Sequence, residues 1–221
     1  MRRRLPYLGL LLLAWLAATG EVGVCPLFQP ATPEQGGGGV IIPTNYLDPD
    51  STLATLARGM NAKANGRDAY MGGIADTTRD GRSFRANFDP SVVARYNAQP
   101  GAVGGWDPWG TDLERQWFFN FVQYKSGAYT MTWGPDTFHP ADDRGVDVAL
   151  LHRSYKITSL QSDGSNLIIA VGYADLFFLR NASGRWVILR WDDRADDADG
   201  GANPPNAEQV PLGWRRLTQR G

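Results

Sequence analysis

Apolar positions change rhythm near the middle of the chain. In the first half Leu53, Leu56, Ala57 and Met60 recur at helical spacing, with Asp48 or Asp50 placed to cap the helix and Pro49 suited to its first turn. Asn65-Gly66 interrupts that stripe, and Asp68-Ala69-Tyr70-Met71 opens a second short helix that ends by Asp76. A third helix is expected from about Asp112 to Gln123, where Leu113, Trp117, Phe118, Phe121 and Val122 form a wide apolar face. Beyond it the pattern becomes that of strands: Tyr129 to Trp133, Val146 to Thr158, Asn166 to Arg180 and Arg185 to Arg194, rich in Val, Ile, Leu and rings. Ser162-Asp163-Gly164-Ser165 and Asn181-Ala182-Ser183-Gly184 read as the turns of antiparallel hairpins. An acidic, Gly/Pro-rich loop then runs to Pro211, and Trp214 to Thr218 is expected to close the sheet.

Helices first and strands afterwards mean an α+β fold. In the 166 to 180 strand both alternating sets are apolar: Ile168, Ala170, Gly172, Ala174 and Leu176 on one side, Leu167, Ile169, Val171, Tyr173 and Phe177 on the other. Both faces should therefore be covered. A single sheet wrapped around a helix accounts for one face, and another element or a partner subunit for the other.

The first 25 residues follow a different logic. Arg2, Arg3 and Arg4 precede an apolar run from Leu8 to Ala18, and small and polar residues follow, which is the order of an export signal. At about 11 residues the run is short of the roughly 20 that span a bilayer as a helix. Cys25 is the only cysteine of the chain, sits just past this run and has no disulfide partner, so it reads as a lipid acceptor. Val24 and Glu21 argue against lipidation, and ordinary cleavage after Ala18-Thr19-Gly20 is the alternative, leaving a soluble secreted or periplasmic protein. Residues 26–45, with four consecutive glycines from Gly36, read as a flexible tether, and residues 46–221 as one domain. As a coil, such a tether would hold the domain roughly 25 Å off a membrane surface.

Composition sets limits rather than naming a role. Hydrophobic content of 43% supports a packed core. The leader takes three of the 22 basic and one of the 23 acidic residues, leaving a net charge of −3, which excludes nucleic acid as an electrostatic partner. Twenty-six glycines and eight tryptophans predict many turns and a core rich in large rings.

Several segments together resemble a known family. Asn65-Gly66-Arg67-Asp68-Ala69-Tyr70, Phe84 with Phe88-Asp89-Pro90, the ring-rich helix, and the hairpin ending Gly184-Arg185-Trp186-Val187-Ile188-Leu189-Arg190-Trp191-Asp192-Asp193 look like the nuclear-transport-factor-2-like, or SnoaL-like, cone fold. Within it they are similar to exported bacterial lipoproteins of unassigned activity. The resemblance spans roughly residues 46 to 218. It implies three N-terminal helices against a strongly bent antiparallel sheet, an enclosed pocket, and pairing as a homodimer through the sheet. It implies no particular activity, because isomerases, dehydratases, cyclases and binding modules share the fold.

Chemistry must be sought residue by residue. His139 and His152 are the two histidines, without metal-ligand spacing, and no metal or cofactor is expected. No Gly-x-Ser-x-Gly elbow occurs, and Gly36 to Gly39 lack the Lys-Ser/Thr ending of a phosphate loop. Asp142-Asp143-Arg144 and the Asp192 to Gly200 run lack a calcium loop's alternating ligands and read as solvated acidic loops. Trp106-Asp107-Pro108-Trp109-Gly110 reads as a plug for the wide end of a cone rather than a sugar platform.

What remains is a polar set that a cone pocket would gather: Arg153 and Tyr155, Tyr173 and Asp175, and Trp191 with Asp192. Asp175 and Tyr173 share a face by period-two spacing and are the candidate base and hydroxyl donor of a lyase or isomerase acting on a small hydrophobic substrate. Arg153, Tyr155 and Trp191 are the candidate ligand-binding residues. The competing reading is structural, with each Asp ion-paired across the sheet. On balance the residues favour a non-catalytic domain that binds a small apolar ligand or a partner protein.

Overall fold

The computed structural model describes residues 41–104, 106–136, 138–139, 141–194 and 210–220. The expected signal segment, Cys25, most of the expected tether and most of the late acidic loop lie outside them. Helix α1, Pro49–Asn61, begins where the sequence places it: Asp48 accepts a hydrogen bond from the Ser51 amide at 2.8 Å, and Pro49 occupies the first turn. A 3₁₀ turn, Lys63–Gly66, leads into α2, Arg67–Gly72, and then α3, Thr77–Asp80. Strand β1 is Arg85–Asn87, α4 is Pro90–Asn97 and α5 is Thr111–Phe121. The strands β2 (Tyr129–Pro135), β3 (Asp143–Arg144), β4 (Val148–Leu160), β5 (Asn166–Arg180) and β6 (Trp186–Arg194) follow, with α6 at Leu212–Thr218.

The sheet runs β1-β6-β5-β4-β2, with β3 added beside β4. All pairings are antiparallel except β1 on β6. Register shifts between Ile157 and Thr158 and between Phe177 and Phe178 bend the two longest strands, curving the sheet around the helices. This is the α+β arrangement that the resemblance implies.

The third helix and the four main strands lie within a few residues of the sequence reading. Three features differ. Residues 212–218 form a helix, because β1 already occupies the sheet edge beside β6, and because Leu, Trp and Arg after Pro211 favour a helical turn. Strand β1 and helix α4 were hidden in a polar stretch, although Asp89-Pro90-Ser91 carries a cap signal: Asp89 accepts from the Ser91 amide at 2.8 Å. The outer face of β5 is only half-buried at Val171, Tyr173, Phe177 and Leu179, whereas Gly172, Ala174, Leu176 and Phe178 are buried inside.

One close approach fixes the helical half. Gly59 of α1 and Gly66 meet backbone to backbone, and a Cβ on Gly66 would run into the Gly59 carbonyl. Gly66→Ala is therefore expected to cost about 1–3 kcal/mol by overpacking, read as a lowered Tm in thermal unfolding. An unchanged Tm would mean that α1 and the 3₁₀ turn separate freely.

Candidate functional site

The hollow side of the sheet is filled by the chain itself. Trp109, Trp117, Trp191, Tyr70, Tyr155, Phe118 and Phe121 are fully buried there, and so is Arg216, carried in by α6. Trp117 stacks on Phe121 at 4.9 Å and Tyr70 on Phe118 at 4.5 Å between ring centroids. Trp109 thus takes the plugging role expected of its segment, with Trp106 packed at its edge through Phe88.

Two carboxylates sit inside this packing. Glu114 accepts from Arg216 Nε at 2.9 Å and Nη2 at 2.8 Å, from the Tyr70 hydroxyl at 2.7 Å and from Trp109 Nε1 at 2.7 Å. The Arg216 guanidinium lies over Trp191 at 4.4 Å and Trp117 at 5.3 Å from the ring centroids, a cation–π seat in place of water. Asp193 accepts from the Tyr155 hydroxyl and from the Gly213 amide, both at 2.6 Å, while the Leu212 amide donates to Tyr155 at 2.7 Å. Burial pushes the Asp193 carboxyl up to about 6, partly opposed by Arg216, and burial also raises the Tyr155 hydroxyl well above its usual range. Both carboxylates are thus engaged by groups of the same chain, and the Leu212 and Gly213 amides at the start of α6 cover Tyr155 and Asp193.

Glu114 carries a sequence signal of its own. It precedes Trp117, Phe118 and Phe121 by three, four and seven positions, so it lies on the buried stripe of α5. Arg216 carries no comparable signal, since its segment is expected from sequence to be a strand and forms a helix.

The candidate pair Tyr173 and Asp175 does share a face, but it is the outer one. Asp175 takes a 2.7 Å contact from His152 Nδ1 and a 2.9 Å bond from Arg194 Nη2. Arg194 also bonds Asp136 at 2.7 Å, His139 stacks on His152 with centroids 5.6 Å apart, and Phe138 meets Tyr173 edge-on. Asp175 is thus an ion-paired group on the partly exposed outer face, as the structural reading has it, and not a base in a pocket. Tyr155 and Trp191 are interior, and Asp192 is outside with Arg190 at 3.0 Å.

Arg153 lies at the rim, in a closed ring of alternating charge. It bonds Asp142 at 2.7 and 2.8 Å and Asp50 at 3.0 Å, while Arg144 bonds Asp50 and Asp142 at 2.7 Å each. Arg153 and then Arg144 hold the Asp142 carboxyl far below the usual range, and Arg144 leads in lowering Asp50. The ring corrects the reading of Asp142 as a solvated loop residue. It closes one end of a groove of about 580 Å³ lined by Asp50, Leu53, Ala54, Trp133, Gly134, Pro135, Asp142 and Arg153. Trp133 lines it: its Nε1 donates to the Leu53 carbonyl at 3.0 Å, and its ring packs on the buried Tyr155 and Trp191 rings with centroids 6.2 and 5.5 Å apart. Among the described residues no group of three or more His, Cys, Asp or Glu is placed to hold a metal ion.

No protein-family model matches the chain, and no curated protein matches it in sequence. Solved structures similar to it include Rv3472 of Mycobacterium tuberculosis, a protein of unknown function, at 14% identity over 72% of this chain and 78% of that one, with a TM-score of 0.47. A second is the beta subunit of a protein provisionally named an aromatic-ring-hydroxylating dioxygenase from Novosphingobium aromaticivorans, at 15% identity over 66% and 86%, with a TM-score of 0.43. A third is a nuclear-transport-factor-2-like family protein from Streptomyces avermitilis, provisionally named a dehydratase, at 12% identity over 66% and 93%, with a TM-score of 0.44. At this level they are similarities of outline, and no activity is carried from them to this chain.

Proposed function

We propose that this chain is an exported, lipid-anchored envelope protein whose domain binds a small apolar ligand without transforming it. The filled interior carries the non-catalytic part of the reading. Glu114 and Asp193, the buried carboxylates suited to acid–base work, spend their acceptor positions on Arg216, Tyr70, Trp109, Tyr155 and the Gly213 amide. The Trp133 groove, within the roughly 300–1,000 Å³ usual for small-molecule sites, is a concave surface open to a ligand and lined by a large ring. Export and anchoring rest on Arg2 to Arg4, the Leu8 to Ala18 run and Cys25.

One observation supports the alternative of an exported lyase or isomerase. Asp193 lies beside Tyr155 in the interior, with its carboxyl raised to about 6 by burial, the environment that suits a base. It serves only if α6 withdraws, because the Leu212 and Gly213 amides occupy both groups.

Labelling with radioactive palmitate during expression of the full chain in a Gram-negative host tests the anchor. Label should enter the wild type, which sediments with membranes, and vanish with Cys25→Ser. Unlabelled protein shortened at Gly20 and released to the periplasm would leave export standing and remove the anchor.

A further inference from the structure

The four charges at the end of the groove are not held equally. Asp142 is the fixed corner: it meets both Nη atoms of Arg153, one of Arg144 and the His152 amide, and its side chain is 19% exposed. Asp50 is the loose corner, with one bond to each guanidinium and a side chain 55% exposed on the first turn of α1. Leu53 and Ala54 lie three and four positions further along α1, so the apolar strip of the groove begins directly beside this corner. With Asp50 in place the ring is neutral. With Asp50 turned out to water, Arg144 and Arg153 retain one carboxylate between them and present a net positive, planar pair of donors at the end of an apolar trough.

We propose that the groove seats an apolar monocarboxylate, its tail over Leu53, Ala54 and Trp133 and its head in the place of Asp50 between Arg144 and Arg153. Asp50 is then an internal stand-in for the ligand head, and binding is a carboxylate-for-carboxylate exchange. A cation finds no vacancy here, because both carboxylates already face guanidinium groups. The assignment rests on the groove being a ligand site, as proposed above, and names the class it takes.

Calorimetric titration of the full chain with naphthalene-2-carboxylate and with the matching alcohol, naphthalene-2-methanol, tests it. The acid should bind at least tenfold more tightly than the alcohol. Asp50→Asn should strengthen acid binding about tenfold by removing the competitor, and Arg153→Gln should abolish the preference for acid. Arg144→Gln, at the more exposed guanidinium, gives a second reading should Arg153→Gln unfold, as judged by circular dichroism. Equal binding of acid and alcohol, unchanged by these variants, overturns the carboxylate assignment while leaving the groove as a ligand site. No binding of either probe to the wild type or to Asp50→Asn overturns both.

Discussion

Glu114→Ala is expected to lower the free energy of unfolding by about 3–5 kcal/mol, enough to leave a marginal domain largely unfolded. The substitution removes one acceptor group from three donors at once. Arg216 is left charged and completely buried, and the Tyr70 hydroxyl and Trp109 N–H lose their partner in the same packed space. Arg216→Leu should cost less, because Glu114 keeps Tyr70 and Trp109 as donors and the new side chain fills part of the space between Trp117 and Trp191. Urea unfolding followed by tryptophan fluorescence measures both. Should Arg216→Leu prove the more damaging, the pair's value lies in the aromatic stacking of the guanidinium rather than in the carboxylate.

Stability is expected to fall as pH rises from about 4 to about 6, by about 3 kcal/mol in total, and Asp193→Asn should abolish that slope. Burial lifts the folded Asp193 carboxyl to about 6, whereas in the unfolded chain it titrates near the ordinary value of about 4. Between these limits the folded form holds the extra proton, so raising the pH favours unfolding. Asp50, Asp80, Asp136 and Asp142 act with the opposite sign. Bonds to Arg144, Arg79, Arg194 and Arg153 help to lower their carboxyls, and the stability they add is present above about pH 4 and lost as pH falls through their folded values. The two windows therefore separate, and urea midpoints from pH 3 to pH 7 should pass through a maximum. A wild type that gains stability between pH 4 and 6, in parallel with Asp193→Asn, would show that water reaches this carboxylate.

The sequence carried most of the strands because β4, β5 and β6 are long and bounded by Asp- and Asn-containing Gly turns, whose signals are local. It carried the relative facing of Tyr173 and Asp175 for the same reason. It could not say which face is inside, since β5 is apolar on both, and period-two spacing fixes phase but not direction. The rim ring was invisible for a different reason: Asp50, Asp142, Arg144 and Arg153 come from α1, the approach to β3, β3 itself and β4, and no spacing links them. The expectation of a strand at Trp214 to Thr218 fails because Trp, Arg, Arg and Leu in succession suit either a strand edge or a buried helix, and only the presence of β1 on β6 decides between them.

Glu114 and Arg216 are 102 positions apart, and the bond from Thr52 to the Trp186 carbonyl closes a separation of 134. The interior that these contacts seal thus depends on pairings far apart in the chain, whose closure entropy is met before their rewards are collected. Helix α1 and the β5–β6 hairpin are built from short-range contacts, whereas the rings between them are closed over by Arg216 of α6. Assembly of this domain should accordingly end on its C-terminal helix, with a late, slow step and a preceding species that displays Trp117 and Trp191 to solvent and to any chaperone or neighbouring chain.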